Sequence, residues 1–134
     1  MRDCWLDREH ECATAAGIVF QRLPIPNLLT LTVAEGLPRI EGLAAEVRAG
    51  RGVAAHCFAS VGRAPTIVAS VLVILGLEPG DAWRRVQSAR GKLVPDTDLQ
   101  RHWVGELRAY RDSLRANAAI DHQAAAPGVD PTPW

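Results

Sequence analysis

The sequence predicts an α/β fold, with a central, mostly parallel sheet flanked by helices, on three observations. A short apolar run, Val53-Ala54-Ala55, leads into the loop His56 to Arg63 and then into a long apolar segment opened by Ala64-Pro65, which is the order strand, loop, helix. An earlier apolar run, Ile18-Val19-Phe20, is separated from it by Leu37, Ile40, Leu43, Ala44 and Val47 at helical spacing. Strand, helix and strand in succession form a crossover unit, which requires parallel pairing and a right-handed connection. Two further helical patterns after the loop supply helices to cover the sheet.

Taken in order, Leu6 to Ala16 carries Asp7, Glu9 and Glu11 early and alanines later, which suits a short helix ended by Gly17. Ile18-Val19-Phe20 begins a strand to about Leu23, stopped by Pro24 and Pro26. Pro24 to Glu35 is expected to be a loop, Leu37 to Ala49 a helix closed by Gly50, and Val53 to Ala55 the second strand. Pro65 suits the first turn of the next helix, where its missing N–H is not needed. Ile67, Val68 and Val71 to Leu75 leave that helix without a polar face, so it should lie at the centre of the domain. Pro79 to Arg90 is expected to be a helix with Ala82, Trp83 and Val86 inward and Arg84 and Arg85 outward, capped by Gly91. The last helix starts near Asp96 or Thr97, with Leu99, Trp103, Leu107, Tyr110 and Leu114 on its inner face. The apolar rhythm fails beyond Ala118, which sets a domain over 1–117 and a flexible tail over 118–134.

Whole-chain properties narrow the partners. At 134 residues, one domain with its own core is expected, and a monomer. The 15 basic and 15 acidic residues balance, so no nucleic-acid or membrane partner is indicated. Lys92 is the only lysine, a skew that reads as composition bias. Three cysteines, Cys4, Cys12 and Cys57, argue against a disulfide framework and for a reducing, cytoplasmic setting. Charges through the first dozen residues exclude a signal peptide there, and Ala64 to Leu77 is too short to span a bilayer.

The loop carries the chemistry. Cys57 follows a strand and precedes a helix N-terminus, where unpaired backbone N–H groups and the positive end of the helix dipole converge. That setting favours anions, the thiolate of Cys57 among them, and so makes Cys57 a nucleophile. Arg63 lies six residues on, and its planar fork of donors suits two phosphate oxygens at once. A buried structural cysteine is the bland alternative, but His56 and Arg63 in register with it favour the functional reading.

His56-Cys57, five residues, then Arg63 resembles the HC-x5-R signature of the cysteine-dependent protein tyrosine phosphatases, most nearly their dual-specificity branch, and the resemblance runs from about Leu6 to about Tyr110. It implies hydrolysis of phosphomonoesters through a cysteinyl-phosphate, with no metal and no cofactor. By the resemblance, Phe58, Ala59, Ser60, Val61, Gly62 and Arg63 cradle the phosphate, His56 orients the loop, and Gln100 positions the hydrolytic water. Gln100 is equally well read as plain surface. Members of the family place further strands before the first helix; here only Arg2 to Trp5 occupy that space, so the sheet edge is expected to be missing, paired with another chain, or lost through a misplaced start.

Three departures weaken the resemblance. The family's general-acid aspartate falls at Asn27, in Pro24-Ile25-Pro26-Asn27, and asparagine cannot give up a proton and take it back. Glu35, Asp96 and Asp98 are other carboxylates that would substitute, though Asp96 reads first as a helix N-cap. Glycine is usual where Ser60 stands, and a non-glycine residue at positive φ costs roughly 1–2 kcal/mol. A hydroxyl is usual where Ala64 stands, and its loss should slow breakdown of the phosphoenzyme unless Ser60 or Thr66 supplies one. The expectation is a weakened protein phosphatase whose rate depends steeply on the leaving group, favouring phosphotyrosine over phosphoserine; a flat dependence would reveal another acid. The alternative is a pseudophosphatase that binds phosphate without turnover. A phosphoinositide or other small phosphoester ranks lower as substrate, since the loop lacks lysine. A zinc set of Cys4, His10, Cys12 and His56 matches no common finger, and Cys12 as a redox partner of Cys57 is left open.

Overall fold

The computed structural model describes residues 8–124. Five helices run through them in chain order: α1, Glu9–Ala15; α2, Val33–Arg48; α3, Arg63–Ile74; α4, Pro79–Arg90; and α5, Asp98–Ala124. Among the described residues there is no strand, so the expected α/β fold with a parallel sheet is corrected to an all-helical one. The reason is visible at both expected strands. Residues 18–23 and 53–55 are irregular, and among the described residues no backbone hydrogen bond joins one run to the other. Ile18 is 61% exposed and Val19 is 85% exposed, so the first run buries almost no apolar surface. Without a ladder, three-residue apolar runs have nothing to offset the cost of ordering them.

Helix packing does what the sheet was expected to do. Helix α3 packs against α2, α4 and α5, and α2 also packs against α5. Of the residues of α3, Ala64 to Ile67, Ala69 to Val71, Val73 and Ile74 are buried, so it is the central element that its apolar composition predicts. Its two buried hydroxyls find partners within the helix: Thr66 donates to the Gly62 carbonyl at 2.8 Å and Ser70 to that of Thr66 at 2.7 Å. At its C-terminus the Ile74 carbonyl accepts from Arg48 at 2.9 Å and Arg111 at 3.4 Å, cations where the helix dipole favours them.

Helix α2 begins four residues before the expected Leu37. Thr32 is its N-cap, accepting from the Glu35 amide while the Glu35 carboxylate accepts from the Thr32 amide, a reciprocal capping box. This start leaves Pro38 inside the helix, where its missing N–H removes one backbone bond. Close approach to α5 depends on Gly36: a Cβ there would lie 2.5 Å from Cζ2 of Trp103.

Helix α4 has the expected bounds and faces. Helix α5 differs in two ways. Its buried residues are Gln100, Trp103, Val104 and Leu107, and Leu99 and Leu114 are exposed. Trp103 and Leu107 face inward as expected and Tyr110 packs partly against the core, so the expected face holds at its centre and fails at Leu99 and Leu114. The helix also continues to Ala124, so residues 118–124 are helical. Residues 125–134, Cys4 and the segment from Arg2 to Trp5 lie outside the described residues. Helix α1 buries no side chain and adjoins the rest through a contact of Glu9 with His56 and a ring contact of His10 with Phe20, 5.6 Å between centroids.

Candidate active site

The N-terminus of α3 opens onto a cleft of about 540 Å³ lined by Cys57, Phe58, Ala59, Val61, Gly62 and Arg63, with Asn27 and Leu28 on a second wall and Asp96 on a third. Residues distant in sequence thus meet around the cysteine, without the strand that was expected to hold it. Among the described residues, no acceptor takes a hydrogen bond from the amides of residues 58–64. They lie in the loop and first turn where a helix leaves its donors free for an anion.

The three walls are tied together. Arg63 Nη1 donates to the Ile25 carbonyl at 3.1 Å, holding the segment that carries Asn27. On the far side of that segment the Thr97 hydroxyl donates to the Leu28 carbonyl at 3.4 Å. The segment before α5 is anchored at Val94, which is fully buried and whose carbonyl accepts from Gln87 at 2.8 Å and from Arg101 at 3.0 Å. Arg101 in turn lies over the ring of Trp83, 5.4 Å from its centroid.

Backbone strain collects here. Among the described residues, Ser60, at φ 52°, and Leu28, at φ 63°, are the non-glycine residues with positive φ. One sits in the loop and the other on the facing wall, and each costs roughly 1–2 kcal/mol. The strain expected at Ser60 is therefore present. Its side chain, however, does not line the cleft.

Gln100 occupies a place that its sequence position hid. It is fully buried, not surface, and a Cβ on Gly62 would lie 2.8 Å from its Nε2 and 2.5 Å from Asp96 Oδ2. With Gly62 there, the loop lies against these two side chains. Gln100 Oε1 accepts from the Thr97 amide at 3.3 Å, and the Gln100 amide donates to the Thr97 hydroxyl at 3.2 Å. These reciprocal bonds make Thr97 the cap of α5, which corrects the reading of Asp96 as the N-cap. Gln100 Nε2 has no hydrogen-bond partner among the described residues.

The chain matches no known family profile, no curated protein and no solved structure.

The other candidates divide clearly. His56 does not line the cleft; its Nε2 pairs with Glu9, which links the start of the loop to α1. Glu35 is committed to the cap of α2, and hydrogen bonds from the Thr32 hydroxyl and amide hold its carboxyl below the ordinary glutamate range. Asp98 is exposed in the first turn of α5, outside the cleft lining. The hydroxyl of Thr66 is buried and donates to Gly62, so it is not free to assist a thiolate. Cys12 is exposed on α1, and among the described residues no three histidine, cysteine or acidic side chains gather as a metal would require. No helix of the described residues is long and apolar enough to cross a membrane.

The lining therefore combines one thiol, one arginine and one carboxylate around free backbone donors. Sequence reasoning placed Cys57, Arg63 and Asn27 in one site, and the cleft brings them together. It missed the closeness of Asp96 and Gln100 to Gly62. The available signal was Thr97-x-x-Gln100, a capping-box spacing that transfers the cap from Asp96 to Thr97.

Proposed function

We propose that this chain binds phosphomonoesters in the Cys57 cleft and hydrolyses them through a cysteinyl-phosphate, with phosphotyrosine in a protein as the favoured substrate and small aryl phosphates as surrogates. The observation that supports it most is that Cys57 and Arg63 line one cleft at the N-terminus of α3, beside loop amides that have no acceptor among the described residues. A phosphate there would be met by the loop donors and by the guanidinium, which gives only one of its five N–H groups to Ile25. The Cys57 thiolate would attack phosphorus as the bond to the ester oxygen breaks, and water would then release phosphate from sulfur. Asn27 can hold a hydrogen bond to the substrate but supplies no proton. Exposed Phe58, at 93%, stands at the rim, where a flat ring suits contact with an aryl ester.

The retained alternative, phosphate binding without turnover, draws on the strain at Ser60 and on Ala64, which has no hydroxyl to help the thiolate leave. One assay separates the two. Phosphate release from an aryl phosphate should be measurable with the native chain and absent with Cys57→Ser. Equal rates from both would reject the hydrolytic reading, and titration with inorganic phosphate would then decide whether binding survives.

A further inference from the structure

We infer that Asp96 is the proton donor to the leaving oxygen, a role resting on the phosphomonoester reading above. Three placements lead to it. Asp96 shares the cleft with Cys57 and Arg63, and its Oδ2 lies against Gly62, the residue immediately before Arg63. Among the described residues its carboxylate makes no hydrogen bond and no ion pair, because Thr97 caps α5 in its stead. The segment that carries it is fixed on one side by the buried Val94 and its two hydrogen bonds, and on the other by Thr97, itself bonded to Leu28. A carboxylate on a rigid support, free of partners and facing the nucleophile's cleft, is what general acid catalysis requires.

The competing carboxylates fail on position. Glu35 caps α2, Asp98 lies outside the cleft lining, and Asn27 has no proton to give. In the first step Cys57 sulfur forms a bond to phosphorus, the P–O ester bond breaks, and its electron pair takes the Asp96 carboxyl proton to release an alcohol or phenol. In the second, water attacks phosphorus, the S–P bond breaks to return the thiolate, and the Asp96 carboxylate takes the proton of that water.

The test compares native chain, Asp96→Asn, Asp96→Glu and Cys57→Ser on aryl phosphates whose leaving phenols span a wide range of basicity. With Asp96 donating, kcat/KM of the native chain varies little along the series. Asp96→Asn loses about 10²–10⁴-fold on phenyl phosphate and little on 2,4-dinitrophenyl phosphate, which needs no proton, as general acid catalysis requires. Asp96→Glu restores part of the loss on phenyl phosphate. An Asp96→Asn chain slowed equally on every substrate, or on none, while Cys57→Ser abolishes turnover, overturns the role of Asp96 and leaves the cysteine chemistry standing. Native turnover no greater than that of Cys57→Ser overturns both.

Discussion

Arg63 and Ile25 are joined across 38 residues of chain, the guanidinium donating to the Ile25 carbonyl at 3.1 Å. One side chain thus lines the cleft and fastens the wall that carries Asn27 and Leu28. A lysine can supply the charge but not a fork of donors that serves both ends.

Arg63→Lys should therefore weaken two things together. Hydrogen bonds to charged groups contribute about 1.5–3 kcal/mol, so affinity for inorganic phosphate should fall roughly 10- to 100-fold. The facing segment should loosen as well, read as faster hydrogen exchange at the Leu29 amide, which donates to Pro26 in the same turn. Weaker phosphate binding with unchanged exchange at Leu29 would show that the Ile25 bond contributes nothing to the wall.

Gly62→Ala should distort the site from within. The added Cβ would fall 2.5 Å from Asp96 Oδ2 and 2.8 Å from Gln100 Nε2, and Gln100 is fully buried. Overpacking of this kind costs about 1–3 kcal/mol, measurable as a lower urea midpoint, and phosphate affinity should drop with it. An unchanged midpoint would mean that the loop lifts freely away from α5.

Ser60→Gly should act in the opposite direction. Relief of the left-handed backbone at φ 52° offers roughly 1–2 kcal/mol, against roughly 0.5–1 kcal/mol for the extra freedom of glycine in the unfolded chain. A net gain between zero and about 1.5 kcal/mol follows from that difference, and a urea midpoint that falls would refute it.

Thr32→Ala removes the hydroxyl end of the α2 capping box, a loss of about 1 kcal/mol at neutral pH. Its pH dependence has a definite sign. Hydrogen bonds from Thr32 lower the Glu35 carboxyl in the folded chain, so their contribution is complete above the ordinary glutamate value and disappears as pH falls through the lower folded one. Melting temperatures of native chain and variant should differ most at neutral pH, and the gap should narrow in acid to what the hydrogen bond from the Glu35 amide to the Thr32 hydroxyl contributes. A gap that stays constant from pH 7 to pH 3 would exclude the Glu35 contribution.

Much of the helical framework was legible in the sequence because each helix carries its own signals. Pro79 and Gly91 bound α4, Pro65 and an unbroken apolar run make α3 the centre, and Leu37, Ile40 and Ala44 give α2 its buried face. Thr32-x-x-Glu35 and Thr97-x-x-Gln100 were equally readable as caps and would have placed the start of α2 and released Asp96 from the cap of α5. The sheet was a different kind of inference. Val53-Ala54-Ala55 and Ile18-Val19-Phe20 are apolar enough for strands, but a strand exists only when another chain segment supplies its hydrogen bonds.

By itself, then, the sequence determined where most of the helices lie, the central place of α3, and the pairing of Cys57 with Arg63 across a loop at a helix N-terminus, since all of these follow from contacts within a few residues. Tertiary structure alone decided that helices and not strands enclose the core, that Arg63 reaches Ile25, and that Gly62 lies against Gln100 and Asp96. Those outcomes depend on which distant surfaces pack best together, and spacing along the chain carries no direct record of that. Cys57 and Arg63 were written into one short stretch; the Asp96 carboxylate came to them through the packing of α5 on α3.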